Sequence, residues 1–263
     1  MSKVSPPQRR ALAVVTALLG ITLGLTGPAG ATTTGRAAGS SAADTLVSRA
    51  GTTVTVTAAV GLGNTISVWR DGDTIRVRDT GDTVTAFGGC TTVGAYEAVC
   101  RDAGDLTELV VNAGDQADEV TSFLASPGVT LIGGAGDDRL YGGSANDTLE
   151  GNEGSDFLAG GDGNDTLIGA SGPDRLFGGP GNDSIEGRSG ADLVNAGAGN
   201  DVVSGGNGND HVIAGSGNDY VEGGAGQDSL DAVDGVGGND HVLGGAQSDT
   251  CRADLGDSVT DCP

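Results

Sequence analysis

Gly133-Gly134-Ala135-Gly136-Asp137-Asp138-Arg139-Leu140-Tyr141 decides the fold, because the chain goes on repeating it. Counting nine positions from Gly133, position six is Asp138, Asp147, Asp156, Asp165, Asp174, Asp183, Asp192, Asp201, Asp210, Asp219 and Asp228. Ala232-Val233-Asp234 is a three-residue insertion, after which Asp240 and Asp249 resume the frame. Position eight is aliphatic from Leu140 to Val242 and ends at Cys251. Positions one, two and four are mostly Gly, and position five is often Asn. A fixed short period of this kind is the mark of a solenoid.

Each residue type has a physical reason. Gly allows positive φ and close backbone approach in a tight turn, and Asn and Asp suit the same turns. Positions seven to nine make a short strand whose central residue faces inward, because strand side chains alternate. Each nonapeptide is then half a coil, and row n stacks on row n+2. The position-six carboxylates form two ladders with rungs about 4.8 Å apart. Unit charges that close repel by ~1 kcal/mol in water and a few kcal/mol at an effective dielectric near 20. One aliphatic residue per nine is a thin core to set against this. A cation is therefore expected between the rungs. Carboxylate and carbonyl oxygens in flexible turns suit Ca²⁺ better than Mg²⁺, and the turns lack the Cys or His that softer metals need.

The pattern Gly-Gly-x-Gly-x-Asp-x-(apolar)-x resembles the repeats-in-toxin (RTX), or haemolysin-type, calcium-binding repeat, over roughly Gly133 to Arg252. The resemblance implies an all-β, right-handed parallel β-roll holding several Ca²⁺ ions between turns two rows apart. Between rows one and three it implies the carbonyls of Gly134 and Gly136 with Asp138, facing those of Gly151 and Glu153 with Asp156. Arg188 and Pro173 should mark weaker sites, and the insertion should interrupt one ladder. Ala145 and Gln247 depart from Gly at position four, Ala196 and Ala214 at position one, and Asn152, Ala170, Arg188 and Val236 at position two.

Residues 1–31 read as a signal peptide: Lys3, Arg9 and Arg10, an apolar run from Ala11 to Thr26, then Ala29-Gly30-Ala31 for cleavage. The general secretory route is expected over the twin-arginine one. The chain has 13 Lys+Arg against 36 Asp+Glu, net −23. Removing three positive charges leaves 10 against 36, or −26. Nucleic acid and anionic membrane surfaces are thereby disfavoured as partners, and no membrane insertion is expected because no later apolar run could span a bilayer. Residues 32–44 read as a disordered leader and 45–132 as a β-rich N-terminal cap and transition. Within the cap, Val54, Val56, Ile66 and Val68 alternate with polar residues, and Asp71-Gly72 signals a hairpin. Trp69 is expected to pack this unit. Asp118 and Val120 look like a degraded row. Four cysteines in a secreted chain allow three disulfide connectivities. Cys90–Cys100 and Cys251–Cys262 are the expected pairs, bracketing the roll at 133–252 and closing a C-terminal cap at 253–263.

There is no nucleophile elbow, zinc-protease motif or phosphate loop. His211 and His241 both fall at an outward position seven, and turn chemistry accounts for Asp137/Asp138 and Asp115/Asp118. The sequence therefore points to a secreted, non-enzymatic calcium-binding protein whose folding is coupled to Ca²⁺, of an actinobacterial kind by resemblance and composition. The alternatives are a cell-surface or matrix spacer or adhesin, with a cell-wall or matrix partner, and a hydrolase with an unrecognised site in residues 45–132.

Overall fold

A computed structural model of the chain describes residues 44–101, 104–237 and 239–262. The expected signal peptide, and the leader apart from Asp44, lie outside the described residues. Two 12-stranded sheets face each other across an aliphatic interior.

The chain enters through β1 (Thr45–Ala50) and β2 (Thr53–Thr57), an antiparallel pair in the first sheet, and crosses to β3 (Thr65–Asp71) in the second. β4 (Thr74–Asp79) turns back on β3 with Asp71 opposite Thr74, so the hairpin loop is Gly72-Asp73, one residue later than the expected signal. β5 (Val84–Phe87) returns to the first sheet beside β1, while β6 (Cys90–Thr92) and β7 (Glu97–Arg101) extend the second. β5 and β6 thus end the two sheets. Cys90 lies opposite Cys100 in the β6–β7 register and is bonded to it.

β8 (Glu108–Asp115) then pairs in parallel with β2, and β9 (Glu119–Ser122) with β3. From β10 (Val129–Ala135) and β11 (Arg139–Gly143) the strands alternate between sheets, ending in β23 (Thr250–Ala253) and β24 (Ser258–Thr260). Every pairing along this run is parallel. Register fixes two aliphatic columns. One runs Val56, Val111, Leu131, Leu149, Leu167, Ile185, Val203, Val221, Val242. The other runs Ile66, Val120, Leu140, Leu158, Leu176, Val194, Val212, Leu230, Cys251. Parallel coils can be this thin because each side chain covers the one a coil away, and neighbouring coils supply what no single coil can bury.

Among the described residues the core contains no aromatic side chain. Trp69, expected to pack the cap, faces outward from β3 and lies under Arg78, whose guanidinium carbon is 5.3 Å from the ring centre. Tyr141, Phe157 and Phe177 line up outside the second sheet with centroids 5.5 and 5.3 Å apart. His211 and His241 are exposed, His241 against Tyr220. Cys251 is bonded to Cys262 at the far end. Among the described residues no helix is long and apolar enough to cross a membrane.

Candidate metal centre

Three positions of a regular row point inward: one, six and eight; the exceptions are Gly235, exposed beside the insertion, and the half-buried Cys251 of the last row. Position eight is the aliphatic column. Position six is a carboxylate beside it, and all thirteen, from Asp138 at 1 % exposure to Asp249 at 5 %, are buried. Position one must then be small. A methyl on Gly133, Gly151 or Gly160 would collide with Oδ2 of that row's own aspartate.

Half of each carboxylate has a partner. The N–H of Asp138 donates to Oδ1 of Asp156 at 2.8 Å, that of Asp156 to Asp174, and so on through Asp192, Asp210 and Asp228 to Asp249. The second ladder runs likewise from Asp147 through Asp165, Asp183, Asp201 and Asp219 to Asp240. The insertion at 232–234 does not break either ladder, contrary to expectation. It lengthens two spacings to 21 residues, yet Asp219 still donates to Asp240 and Asp228 to Asp249 at 2.9 Å. Ala232 stays in the strand Ser229–Ala232 as its buried last residue, and the extra length is taken up in the loop after it, with Val233 and Val236 exposed.

The other half of each carboxylate is unsatisfied. All thirteen Oδ2 atoms, and that of Asp118, are buried without a hydrogen-bond partner. Natural interiors leave few such atoms. Burial is the main cause that pushes Asp138 and Asp174 up to about 7. It carries Asp147, Asp165, Asp183, Asp201, Asp210 and Asp219 up to about 6. Asp156, Asp192, Asp228 and Asp240 are raised from the same cause. The backbone N–H at Oδ1 opposes the shift in every case, and neighbouring carboxylates add to it at most rungs.

Turn carbonyls pack closely against the glycines one coil on. The position-four carbonyl of Gly136 lies against Gly154, and that of Gly154 against Gly172, so close that neither glycine could carry a methyl. The position-two carbonyl of Gly143 lies against Gly161 in the same way, which is the setting expected of Gly134. Gly151 turns its carbonyl toward Gly133, and Glu153 accepts from the N–H of Gly136 at 2.7 Å. Of these, the Gly151 carbonyl lies beside Oδ2 of Asp138, since both would meet a methyl on Gly133.

The chain tolerates side chains in these slots at some cost. Glycines at position two have φ of 102–120°, whereas Asn152, Ala170 and Arg188 there have φ of 81, 85 and 74°. They sit nearer the left-handed well that non-glycine residues can reach.

Position five separates the two ladders. In the second, Asn146, Asn164, Asn182 and Asn200 each accept, through Oδ1, the N–H of the Asn eighteen residues on. In the first, Asp137 accepts from Ser155 and Asn209 from Gln227 in the same way, but Pro173 and Ala191 interrupt the run between them. Their small size leaves a groove of about 480 Å³ that opens over Asp138, Asp156 and Asp174 and is flanked by Arg139, Phe157 and Arg175.

Chemically, successive rungs bring together buried carboxylates that each keep an unpartnered oxygen, with no His or Cys among the described ladder residues. Among the described residues no three His, Cys, Asp or Glu side chains converge on one point. A cation held here must be one that accepts carbonyl oxygens alongside two carboxylates, which is the donor set of Ca²⁺. The residues present fit that ion, and the orphaned Oδ2 atoms are the observation that says so.

A model of the RTX calcium-binding nonapeptide repeat, four copies long, matches residues 132–167, 159–194, 168–203, 195–230 and 231–259. A search of curated proteins finds no match. The matched family is a calcium-binding repeat with no catalytic role. The roll of this chain, residues 132–259, belongs to the RTX calcium-binding nonapeptide repeat family.

Proposed function

We propose that this protein is a secreted calcium-binding module in which ions loaded between stacked rows complete the fold. The reading rests on one observation: thirteen buried position-six aspartates each keep one oxygen without a partner. The residues that would hold the ions are Asp138, Asp156, Asp174, Asp192, Asp210, Asp228 and Asp249 in one ladder. Asp147, Asp165, Asp183, Asp201, Asp219 and Asp240 would do so in the other. Turn carbonyls such as those of Gly134, Gly136, Gly151 and Glu153 would join them. Seven aspartates border six gaps and six border five, so several ions can be taken up. Bound Ca²⁺ supplies the positive charge that lets facing carboxylates stay ionised in a dry gap.

The division of labour follows. Residues 1–31 direct export and 32–44 lead into the cap. Residues 45–132 close one end of the sheets, 133–252 load calcium, and 253–263 close the other end. Two disulfides suit an oxidising, extracellular setting, where calcium modules typically bind at about 10⁻⁴–10⁻³ M. Export would then precede loading, and loading would drive folding.

Titrating calcium into the purified, oxidised chain while recording circular dichroism tests this. The β signal should rise with calcium and fall with chelator. A spectrum indifferent to both, with no ions retained in native mass spectrometry, overturns the reading.

A further inference from the structure

The row before the repeats reads Ala113-Gly114-Asp115-Gln116-Ala117-Asp118, with a single glycine, and the family match begins only at residue 132. Its geometry nevertheless copies a regular row. Asp118 is 2 % exposed, and its N–H donates to Oδ1 of Asp138 at 2.8 Å. Its carbonyl accepts the N–H of Arg139 at 2.8 Å, as that of Asp138 accepts the N–H of Phe157. Gly114 and Gln116 take positive φ, 108 and 77°, at positions two and four. Their carbonyl oxygens lie so close to Gly134 and Gly136 that neither could carry a methyl. Oδ2 of Asp118 is buried without a partner.

One coil earlier, residues 59–64 carry the ladder's first rung, and there it changes character. The N–H of Asn64 donates to Oδ1 of Asp118 at 2.6 Å, the bond every rung makes. The side chain of Asn64, 1 % exposed, aims its Nδ2 at four oxygens. These are the carbonyls of Ala59 at 3.3 Å, Leu62 at 2.9 Å and Ala113 at 3.2 Å, and Oδ1 of Asp118 at 3.2 Å. Only acceptors surround that atom, which fixes it as the nitrogen of the amide, while Oδ1 of Asn64 is buried without a partner. An NH₂ group carrying partial positive charge sits among backbone carbonyls and a carboxylate, the setting of a cation.

We propose that Asp118 and Asp138, with the carbonyls of Gly114 and Gln116, form a calcium gap beyond those of the repeats. The amide of Asn64 takes the cation's place in the gap before it and ends the metal ladder without a metal. This rests on the calcium reading of the roll. It makes the join between cap and roll a point where ion loading and folding meet, because β2 and β3, which carry Asn64 between them, stack directly on this gap.

The test is an ion count by native mass spectrometry on the oxidised chain in calcium, with circular dichroism to check folding. Asp118→Asn should hold one ion fewer than the parent, since its amide can plug the gap as Asn64 does. Asn64→Asp should hold one more. A parent that retains no calcium defeats the calcium reading itself. A parent that loads calcium while either folded variant keeps the parental count overturns this proposal alone. Should Asp118→Asn fail to fold, the gain in Asn64→Asp decides the matter.

Discussion

Asp165→Asn should change the sign of its effect with calcium. Asp165 is buried mid-ladder, and burial pushes it up to about 6 from an ordinary 3.8. Holding it ionised at about pH 8 costs the metal-free roll about 3 kcal/mol, at 1.36 kcal/mol per pKa unit. The amide keeps an oxygen for the N–H of Asp147, which donates to Oδ1 at 2.8 Å. It also puts two protons where the orphaned Oδ2 stood. Without calcium the variant should therefore be the more stable by up to about 3 kcal/mol. With calcium it impairs two gaps, toward Asp147 and toward Asp183. A ligand at about a hundredfold excess over its Kd stabilises by about 2.7 kcal/mol per site, so up to about 5 kcal/mol is at stake. The assay is thermal unfolding by circular dichroism at about pH 8, in chelator and in saturating calcium. A solenoid need not melt in one step, so the midpoint of the roll's own transition is compared. The variant should melt above the parent in chelator and below it in calcium. A variant melting below the parent in chelator refutes the claim that the ionised carboxylate is the liability.

Three further outcomes are expected. The raised carboxylates give the chelated protein stability that is fully present below their unfolded value near 3.8 and lost as pH rises through about 6 to 7. Its melting temperature should therefore fall between about pH 5 and pH 8; in saturating calcium, which needs the ionised form, it should rise over the same range, and parallel curves would contradict this. Leu167→Ala removes a fully buried side chain between Leu149 and Ile185. It should cost about 2–5 kcal/mol in urea unfolding of the calcium-loaded protein, and a loss below about 1 kcal/mol would show that the aliphatic column is not what holds the coils. Arg188→Gly relieves a positive φ of 74° and gives up only an exposed pair with Glu186. A left-handed non-glycine residue costs about 1–2 kcal/mol and glycine's extra chain entropy returns about half of that. Unfolding of the loaded roll should then show a gain of about 0.5–1 kcal/mol; a loss would mean the Arg188–Glu186 pair outweighs the strain.

The period of nine was legible because it is a local property. Gly at the turns, an aliphatic residue at position eight and Asp two before it are set within one row, so their inward placement could be read before any pairing was known. The two local disulfides were legible for the same reason. The hairpin after β3 was found one residue early, since the Asp71–Thr74 pairing, and not the dipeptide, fixes which residues form the loop. Trp69 was misplaced because alternation tells which residues share a face and not which face the second sheet covers.

The sequence by itself determined the coil, the column of Asp at position six and the acidity of the roll. Only the tertiary structure decided where the ladder starts. Asn64 and Asp118 are 54 residues apart, separated by the excursion through β4 to β7, and no short-range pattern joins them. A glycine and a polar residue two before Ile66 was the one signal that could have placed Asn64 on a rung. The structure likewise decided that the insertion at 232–234 leaves both ladders intact, because backbone pairing between coils sets the register and extra residues outside it are taken up in a loop. Which residues face inward is fixed by the chain's own geometry; which of them meet is fixed by hydrogen bonds between coils far apart in sequence.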